Sequence, residues 1–299
     1  MNNTILIIDL HSVLHNVKHG VGKNTRLSHK EKSTFVIFGF LYKLRNILKS
    51  VNHSIVVFAC DSDSNKRLSV FPNYKNRKQN KTPDQIELDE LAYPQFKEIK
   101  ELVLPTIGYK NIFEFKGYEA DDIIGRIVFK DYPLHPKVMA TSDEDMYQCL
   151  SDNCWMLSVS DLALYSKEDF IKEYGIEPSK WVRVKAFGGC TSDTVPGLRI
   201  LDKDGVPAKN GIGKTTALKY LKGELSKTSK AYAAFTDPRV KAQLEMNKKL
   251  VILPFEGTPP VKIVKNQLSI KGMQSIIKKY AFRSMAFDFD AFQHIMRLQ

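Results

Sequence analysis

Acidic residues follow several short apolar runs, each at the point where the run ends. Asp9 comes after TILII, Asp61 after SIVVFAC, and Asp143 after KVMAT. If these runs are parallel strands, their carboxyl ends share one edge of a sheet, and ligands bind in the crevice outside that edge. Acids that are distant in the sequence should therefore meet there. The predicted cluster has eight members: Asp9, Asp61, Glu119, Asp121, Asp122, Asp143, Asp145 and Asp193.

The segment GYEADD supplies three of these acids. Glu119 and Asp122 are three residues apart, which places them on one face of a helix, and Asp121 flanks them. A single aspartate after a strand is more often a helix N-cap that accepts bonds from backbone N–H groups. Capping needs one acid at a time, so GYEADD and TSDEDM together favour a functional cluster.

Bound cations are the simplest way to stabilise such a cluster. Two carboxylates 4 Å apart repel each other by about 4 kcal/mol at an effective dielectric constant near 20. The ligands would be oxygens, with no histidine in these runs, so Mg²⁺ or Mn²⁺ is favoured over Zn²⁺. Two such ions about 3.5 to 4 Å apart activate a water, hold a phosphate and neutralise the leaving oxygen. The acids therefore predict two-metal hydrolysis of phosphodiester bonds.

The overall charge indicates a polyanionic partner. The chain of 299 residues has 45 lysines and arginines against 33 acids, a net charge of +12, which attracts nucleic acid. Between Asp63 and Asp84 there is no acid. A charge run is usually a solvated loop, but opposite an acidic metal site it is better explained as a clamp on phosphate. Its residues are Lys66, Arg67, Tyr74, Lys75, Arg77, Lys78 and Lys81.

A predicted alternation of strands and helices would position these side chains. Residues 4–8, 54–60, 111–115, 137–141 and 154–159 are predicted strands, with helices at 31–50 and 84–103 between them. This alternation predicts an α/β fold with a mostly parallel central sheet and helices on both faces. From about residue 179 the pattern becomes mainly helical, with helices predicted at 214–221 and 237–251.

Cysteine usage and hydropathy predict a cytoplasmic protein. The four cysteines are scattered, which excludes a disulfide framework. No run of 18 apolar residues exists, and the first apolar run has only five residues, so neither a membrane span nor a signal peptide is expected. We expect a monomer with no membrane partner. The cysteines are Cys60, Cys149, Cys154 and Cys190.

Together these motifs resemble the flap endonuclease and 5′-3′ exonuclease family, and within it the ribonuclease H branch of T-even phages. LIIDLHS, VFACDS, GYEADD and ATSDEDMYQCL are similar to the family's metal-binding signatures, in the same order, and FPNYKNRK is similar to its arch. VKAFGGCTSDTVPG resembles the family's Gly-Asp-x-x-Asp-Asn segment, and NGIGKTTALKYL its helix-three-turn-helix. The resemblance covers about residues 4–255. It implies a PIN-like nuclease core at 1–180 with an arch at about 62–90, then a smaller, mainly helical DNA-binding region at 181–299 with the helix-three-turn-helix at about 186–222.

The resemblance also implies a role for each site residue. Asp9, Asp61, Glu119, Asp121 and Asp122 would surround one metal ion, and Asp143, Asp145 and Asp193 the second. Lys75 and Arg77 would contact the reacting phosphate, with Lys185 near the active site, and Tyr74 would stack on an unpaired base. Lys66, Arg67, Lys78 and Lys81 would contact DNA. So would Lys214 and the hairpin of Gly211, Ile212 and Gly213, through backbone N–H groups and with K⁺ as a further cofactor.

The implied activity is that of a 5′-3′ exonuclease and flap endonuclease that removes RNA primers and 5′ flaps during DNA replication. Branched, nicked or RNA-primed duplex DNA would be the substrate. A single-strand-binding protein or a sliding clamp would be the partner. The implied location is the cytoplasm, that of an infected host cell if the gene belongs to a phage.

The chain departs from the family pattern at the second metal and in the hairpin. Where the family has an aspartate three residues before the one matched by Asp193, this chain has Cys190, and where an asparagine follows, it has Thr194. A thiol is a poor ligand for Mg²⁺, so the second ion is expected to bind more weakly. Residues 198–210 are an insertion in the hairpin passage.

Two other functions stay open on the sequence alone. One is a non-catalytic, structure-specific DNA-binding protein, in which Cys190 marks a degraded second metal site. The other is a PIN-like ribonuclease for single-stranded RNA, which would share the acids but lack the basic clamp and the hairpin. ATP binding at GIGKTT is not expected, because Ala208 stands where a P-loop needs glycine.

Overall fold

The computed structural model describes residues 4–21, 27–76 and 81–287. Its centre is a six-stranded sheet in the order β5-β4-β1-β6-β7-β8. The first five strands in this order are parallel to one another, and β8 is antiparallel to β7. The other four strands form two hairpins. The strands are β1 (Ile5–Asp9), β2 (Ser28–His29), β3 (Lys32–Ser33), β4 (Ile55–Cys60), β5 (Ile112–Glu114), β6 (Lys137–Ala140), β7 (Cys154–Leu157), β8 (Leu164–Tyr165), β9 (Arg199–Leu201) and β10 (Pro207–Gly211).

The five predicted strands are confirmed to within two residues at each end. Strand β1 reads ILIID and is buried along its whole length, as expected for a central strand of a parallel sheet with both faces covered. Leu6 and Ile8 pack on one face of the sheet, and Ile5 and Ile7 pack on the other. The predicted α/β class is therefore confirmed.

Helices cover both faces of the sheet. The helices are α1 (Leu10–Val21), α2 (Phe35–Ser50), α3 (Pro83–Glu98), α4 (Leu104–Ile107), α5 (Ala120–Arg126), α6 (Lys167–Tyr174), α7 (Trp181–Gly188), α8 (Lys214–Lys222), α9 (Lys230–Thr236), α10 (Lys241–Val251), α11 (Ile270–Lys279) and α12 (Arg283–Phe287). The predicted helix at 84–103 continues beyond α3 as a π-helical turn, Ile99–Val103. None of the described helices is long and apolar enough to cross a bilayer.

Each face of the sheet has its own apolar core. The first core joins α1, α2, α3 and α4 to the sheet, and α11 returns to it through Met273 and Ile276. The second core lies on the opposite face and joins α5, α6, α7, α8 and α9 through residues such as Ile123, Phe170 and Trp181. The C-terminal part of the chain thus contributes to both cores, and the boundary near residue 180 stays a prediction.

The mainly helical region also contains a β-hairpin that the sequence did not predict. The insertion at 198–210 forms the antiparallel hairpin of β9 and β10. The hairpin leads directly into α8, whose N-cap is Gly213.

Candidate active site

The acids on β1 and β4 lie at neighbouring strand ends. Asp9 ends β1 beside Ala59 of β4, so Asp61, two residues further along, lies at the same edge. Asp9 accepts hydrogen bonds from the backbone N–H of Ser12 (3.0 Å) and from Thr141 Oγ1 (2.9 Å). Asp61 accepts one from the backbone N–H of Ala120 (2.7 Å) at the start of α5. Each acid therefore caps a helix start while it lies in the predicted crevice.

Burial and the charges of neighbouring acids raise the pKa of several carboxylates of the cluster. Burial raises the pKa of Asp9 to about 7, and the charges of Asp61 and Asp143 act in the same direction. Burial also raises the pKa of Asp121 well above its ordinary value, helped by the charges of Asp143 and Asp9. The pKa of Asp143 rises to about 6 because of burial and the charge of Asp145. These acids come from four separate strand ends, so the fold brings distant carboxylates together.

Two lysines lie among the acids. Lys75 Nζ is ion-paired with Glu119 and lies 3.8 Å from Asp193 Oδ1. Lys185 Nζ, on α7, lies 2.5 Å from Asp145 Oδ1. Burial lowers the pKa of each lysine, but the adjacent carboxylates outweigh burial and raise it, so both lysines stay charged. Charged amines at this place can bind an anionic phosphate.

Cys190 lies beside the acids predicted for the second metal. Its Sγ is 3.4 Å from Asp193 Oδ2 and 2.8 Å from Ser192 Oγ. The ligand atoms of Asp145, Cys190 and Asp193 all lie within 4.8 Å of one another. Burial raises the pKa of the Cys190 thiol to about 11. The other departure, Thr194, has φ 57°, in the left-handed region that asparagine adopts more readily than a β-branched residue.

Asp122 does not lie in the crevice, which corrects its predicted role as a metal ligand. It is 0% exposed, and its two oxygens accept bonds from both terminal nitrogens of Arg67, each at 2.7 Å. The backbone N–H groups of Glu119 (3.1 Å) and Phe255 (2.8 Å) also donate to it. These four hydrogen bonds occupy both oxygens of the Asp122 carboxylate, with two bonds to each oxygen. Asp122 therefore fixes the start of α5 and thereby positions Glu119 and Asp121.

Two residues of the predicted clamp, Arg67 and Tyr74, are buried and have other partners. Arg67 is 2% exposed and is held by Asp122, Glu119 and the Leu250 carbonyl, so the prediction that it contacts DNA is wrong. Tyr74 is 4% exposed and donates its hydroxyl to Glu119 Oε2 (2.9 Å), a position that does not allow the predicted base stacking.

The remaining basic residues of the segment lie near the surface. Lys66 is exposed and donates to the Tyr118 hydroxyl (2.8 Å), and Lys81 pairs with Asp89 (2.8 Å). Their roles on DNA stay predictions. Arg77 and Lys78 lie outside the described residues.

The hairpin before α8 is only partly available to DNA. The N–H of Ile212 donates to the Leu198 carbonyl (2.5 Å) and the side chain is buried, which corrects its predicted contact with phosphate. Gly211, Gly213 and Lys214 are exposed. Lys214 Nζ lies 2.9 Å from Glu144 Oε2, in an exposed ion pair that a phosphate could replace. A contact between DNA and these three residues stays a prediction, as does K⁺ at this hairpin.

Sequence reasoning missed several groups that shape the crevice. Thr141 bridges two acids, because it donates to Asp9 and accepts from the N–H of Asp143 (3.2 Å). His11 Nδ1 accepts from the N–H of Asp61 (3.2 Å), which orients the ring beside that acid. Thr141 could have been found from its position, because it is the first residue of TSDEDM. No local pattern indicates that Phe255 supports Asp122.

The two halves of the acid cluster differ in the ions that they fit. Around Asp9, Asp61 and Asp121 the donors are carboxylate oxygens, which suit a hard divalent cation such as Mg²⁺. Around Asp145 and Asp193 the third donor is the Cys190 thiol, and this donor set does not fit Mg²⁺ well.

Comparison with known proteins decides the family. The family model for the N-terminal, resolvase-like domain of 5′-3′ exonucleases matches residues 4–175. The chain belongs to the 5′-3′ exonuclease family. This confirms the family and the nuclease class that the sequence predicted, while the T-even phage branch stays a prediction.

Curated relatives span different shares of the chain. A 5′-3′ exonuclease of Aquifex aeolicus is 31% identical over 74% of this chain and 72% of its own length. One from Buchnera aphidicola is 32% identical over 57% of this chain and 58% of its own length. The chain matches only 22% of the length of DNA polymerase I of Chloroflexus aurantiacus. The matched part thus covers less than two thirds of the Buchnera and polymerase relatives.

Solved structures share the fold. The D15 protein of T5, crystallised with metal ions, superposes with a TM-score of 0.68 at 19% identity and covers 84% of this chain and 90% of its own. The catalytic core of Rad2 in complex with a DNA substrate superposes with a TM-score of 0.56 at 14% identity, covering 100% and 93%. At this identity the likeness shows the fold alone, and it confirms the predicted architecture.

Proposed function

We propose that this chain is a divalent-metal-dependent 5′-nuclease that hydrolyses phosphodiester bonds in branched, nicked or RNA-primed duplex DNA. One observation carries the proposal. Carboxylates from four strand ends meet in one crevice, where burial and neighbouring charges raise the pKa of Asp9, Asp121 and Asp143, and two charged lysines lie among them. Such a crevice binds divalent cations and, through the lysines, the phosphate that those cations would act on.

We propose separate roles for the residues of the site. Asp9, Asp61, Glu119 and Asp121 would hold one ion, and Asp143 with Asp145 and Asp193 would face the second. When bound, the ions would supply an activated water and neutralise the leaving oxygen. Lys75 and Lys185 would exchange their carboxylate partners for the scissile phosphate and orient it.

Removal of RNA primers and 5′ flaps during replication is the finer form of this proposal. Its support is the family, which includes DNA polymerase I among the relatives, and the DNA-bound structures of the same fold. Residues 181–299 would bind the duplex through the exposed end of α8. A sliding clamp or a single-strand-binding protein as recruiting partner stays a prediction.

A cleavage assay with matched variants tests the proposal. A 5′-labelled flap duplex should give short products with Mg²⁺ and none with EDTA. Asp121→Asn and Asp143→Asn should each abolish cleavage while DNA binding remains. Asp63→Asn is the control, because Asp63 is an exposed acid close to the site that the cluster does not include. Cleavage by both cluster variants at the rate of the control would contradict the proposal.

Cys190 favours one second candidate, a non-catalytic DNA-binding protein with a degraded second metal site. The same assay separates the two functions. A DNA-binding protein without activity would retard the flap duplex in a gel with either Mg²⁺ or EDTA and would produce no cleavage. A nuclease would give products only with the metal.

A further inference from the structure

The second half of the acid cluster contains a thiol at the position of a metal ligand. Cys190 is 4% exposed, and Asp145 and Asp193 supply the neighbouring donors within 4.8 Å. Ligands that are about 2.0 to 2.3 Å from one ion lie roughly 3 to 4 Å apart. The 3.4 Å between Cys190 Sγ and Asp193 Oδ2 is within that range. A single ion could therefore contact both side chains with little rearrangement.

The backbone holds the thiol in this position. The N–H of Cys190 donates to the Val195 carbonyl (2.9 Å), and the N–H of Val195 donates back to the Cys190 carbonyl (3.0 Å). The N–H of Asp193 donates to the same carbonyl (3.2 Å), which closes the turn between the two ligands. The Cys-x-x-Asp turn is thus a fixed loop that presents both donors to the crevice.

The chemistry of these donors disagrees with Mg²⁺. Magnesium requires hard oxygen ligands in near-octahedral geometry and retains several waters. Thiolates select softer ions, and Zn²⁺ accepts both cysteine sulfur and carboxylate oxygen as ligands. Resting on the proposed nuclease site, we infer that Asp145, Cys190 and Asp193 form a centre that prefers a thiophilic divalent cation of the zinc class to Mg²⁺.

Lys185 competes with any cation at this centre. Its Nζ lies 2.5 Å from Asp145 Oδ1 and 3.9 Å from Cys190 Sγ. An ion that binds Asp145 must displace this ammonium, which has a flexible stem and can turn toward a phosphate. Substrate phosphate and the thiophilic ion should therefore bind with positive cooperativity.

Cadmium titration of the full-length chain tests the inference without relying on cleavage. Cd²⁺ replaces Zn²⁺ at thiolate sites and gives an ultraviolet charge-transfer band when it binds sulfur. We expect a saturable band in the wild type that a large excess of Mg²⁺ does not remove. Cys190→Ala should lose the band, while Cys154→Ala, which removes another buried thiol, should keep it. Cys190→Ser retains the size of the side chain and replaces Cys190→Ala if that variant does not fold.

The reciprocal variant tests the selectivity. Cys190→Asp should lose the cadmium band and lower the Mg²⁺ concentration for half-maximal cleavage by at least about tenfold. A wild type without a band, a band that survives in Cys190→Ala, or displacement of Cd²⁺ by Mg²⁺ would overturn the inference. Cleavage with Mg²⁺ but no cadmium band would refute this inference and support the proposed function. A cadmium band without cleavage would support this inference and contradict the proposed function.

Discussion

Adjacent residues in GYEADD have different tasks. Asp121 faces the other acids, while Asp122 is buried against Arg67. We predict that Asp122→Asn destabilises the protein by about 3 kcal/mol, because it leaves a buried guanidinium without its charged partner. Asp121→Asn should leave stability unchanged or raise it, since it removes repulsion, and should lower cleavage by at least about a hundredfold.

Urea unfolding and single-turnover cleavage of both variants measure this contrast, and each variant is the control for the other. Arg67→Met should reproduce the instability of Asp122→Asn. If Asp122→Asn were as stable as the wild type and required more Mg²⁺, Asp122 would be a metal ligand after all.

The hydroxyl of Tyr74, not its ring, is the group that faces the site. Tyr74→Phe keeps the buried ring and removes the bond to Glu119, so we expect a loss of about 1 kcal/mol in stability. The Mg²⁺ concentration for half-maximal cleavage should rise by up to about tenfold, because Glu119 loses an orienting partner. A metal titration at saturating DNA measures this. Stacking on a base would instead leave Tyr74→Phe as active as the wild type.

At the scale of residues, the sequence predicted that acids from several strand ends meet, but not how each acid is used. Acids at strand ends could be identified because the carboxyl edge of a parallel sheet gathers them. The roles of Asp121 and Asp122 could not be separated, because the partner that decides, Arg67, is 55 residues away. The same holds for Tyr74, since burial of an aromatic residue in a basic segment has no local signal.

The start of α8 is exposed, and we propose that it contacts DNA. Lys214 lies at this end and Lys222 at the other, each exposed or half-exposed and each paired with one acid. We predict that Lys214→Gln weakens duplex binding. It should also reduce the slope of the logarithm of the binding constant against the logarithm of the salt concentration by about one. Lys222→Gln is the matched control and should change neither.

Fluorescence anisotropy at several salt concentrations gives both quantities. Equal effects from the two variants would mean that charge alone, and not the start of α8, determines binding.

Strands in the centre of the sheet were predictable and the strands of the hairpins were not. The five parallel strands of the sheet could be identified because runs buried on both faces are continuous and apolar. The hairpins β2–β3 and β9–β10 were missed because their strands, SH, KS, RIL and PAKNG, are not parts of long apolar runs. The return of α11 to the first core was also missed, since it depends on tertiary contacts of Met273 and Ile276.

For the whole molecule, the acid cluster links stability to pH and to divalent cations. The pKa of Asp9 is raised from 3.8 to about 7, and that of Asp143 to about 6. An acid whose pKa is higher in the folded protein contributes stability at low pH, and this is lost as the pH rises through the folded pKa. The metal-free protein should therefore lose stability from about pH 5 to about pH 7, by at most about 1.4 kcal/mol per pH unit for each group.

Divalent cations should reverse this trend, because they bind the ionised acids of the folded state and not the unfolded chain. The increase in melting temperature with Mg²⁺ should thus be small near pH 5 and larger near pH 7, a window set by these two pKa values. Asp9→Asn removes the acid with the higher of the two pKa values. It should therefore weaken both the pH dependence of stability and the pH dependence of the increase in melting temperature with Mg²⁺. Thermal unfolding with EDTA and with Mg²⁺ across this range measures them. If metal-free wild type were instead more stable at pH 7 than at pH 5, with Asp9→Asn showing the same profile, repulsion between these acids would not govern its stability.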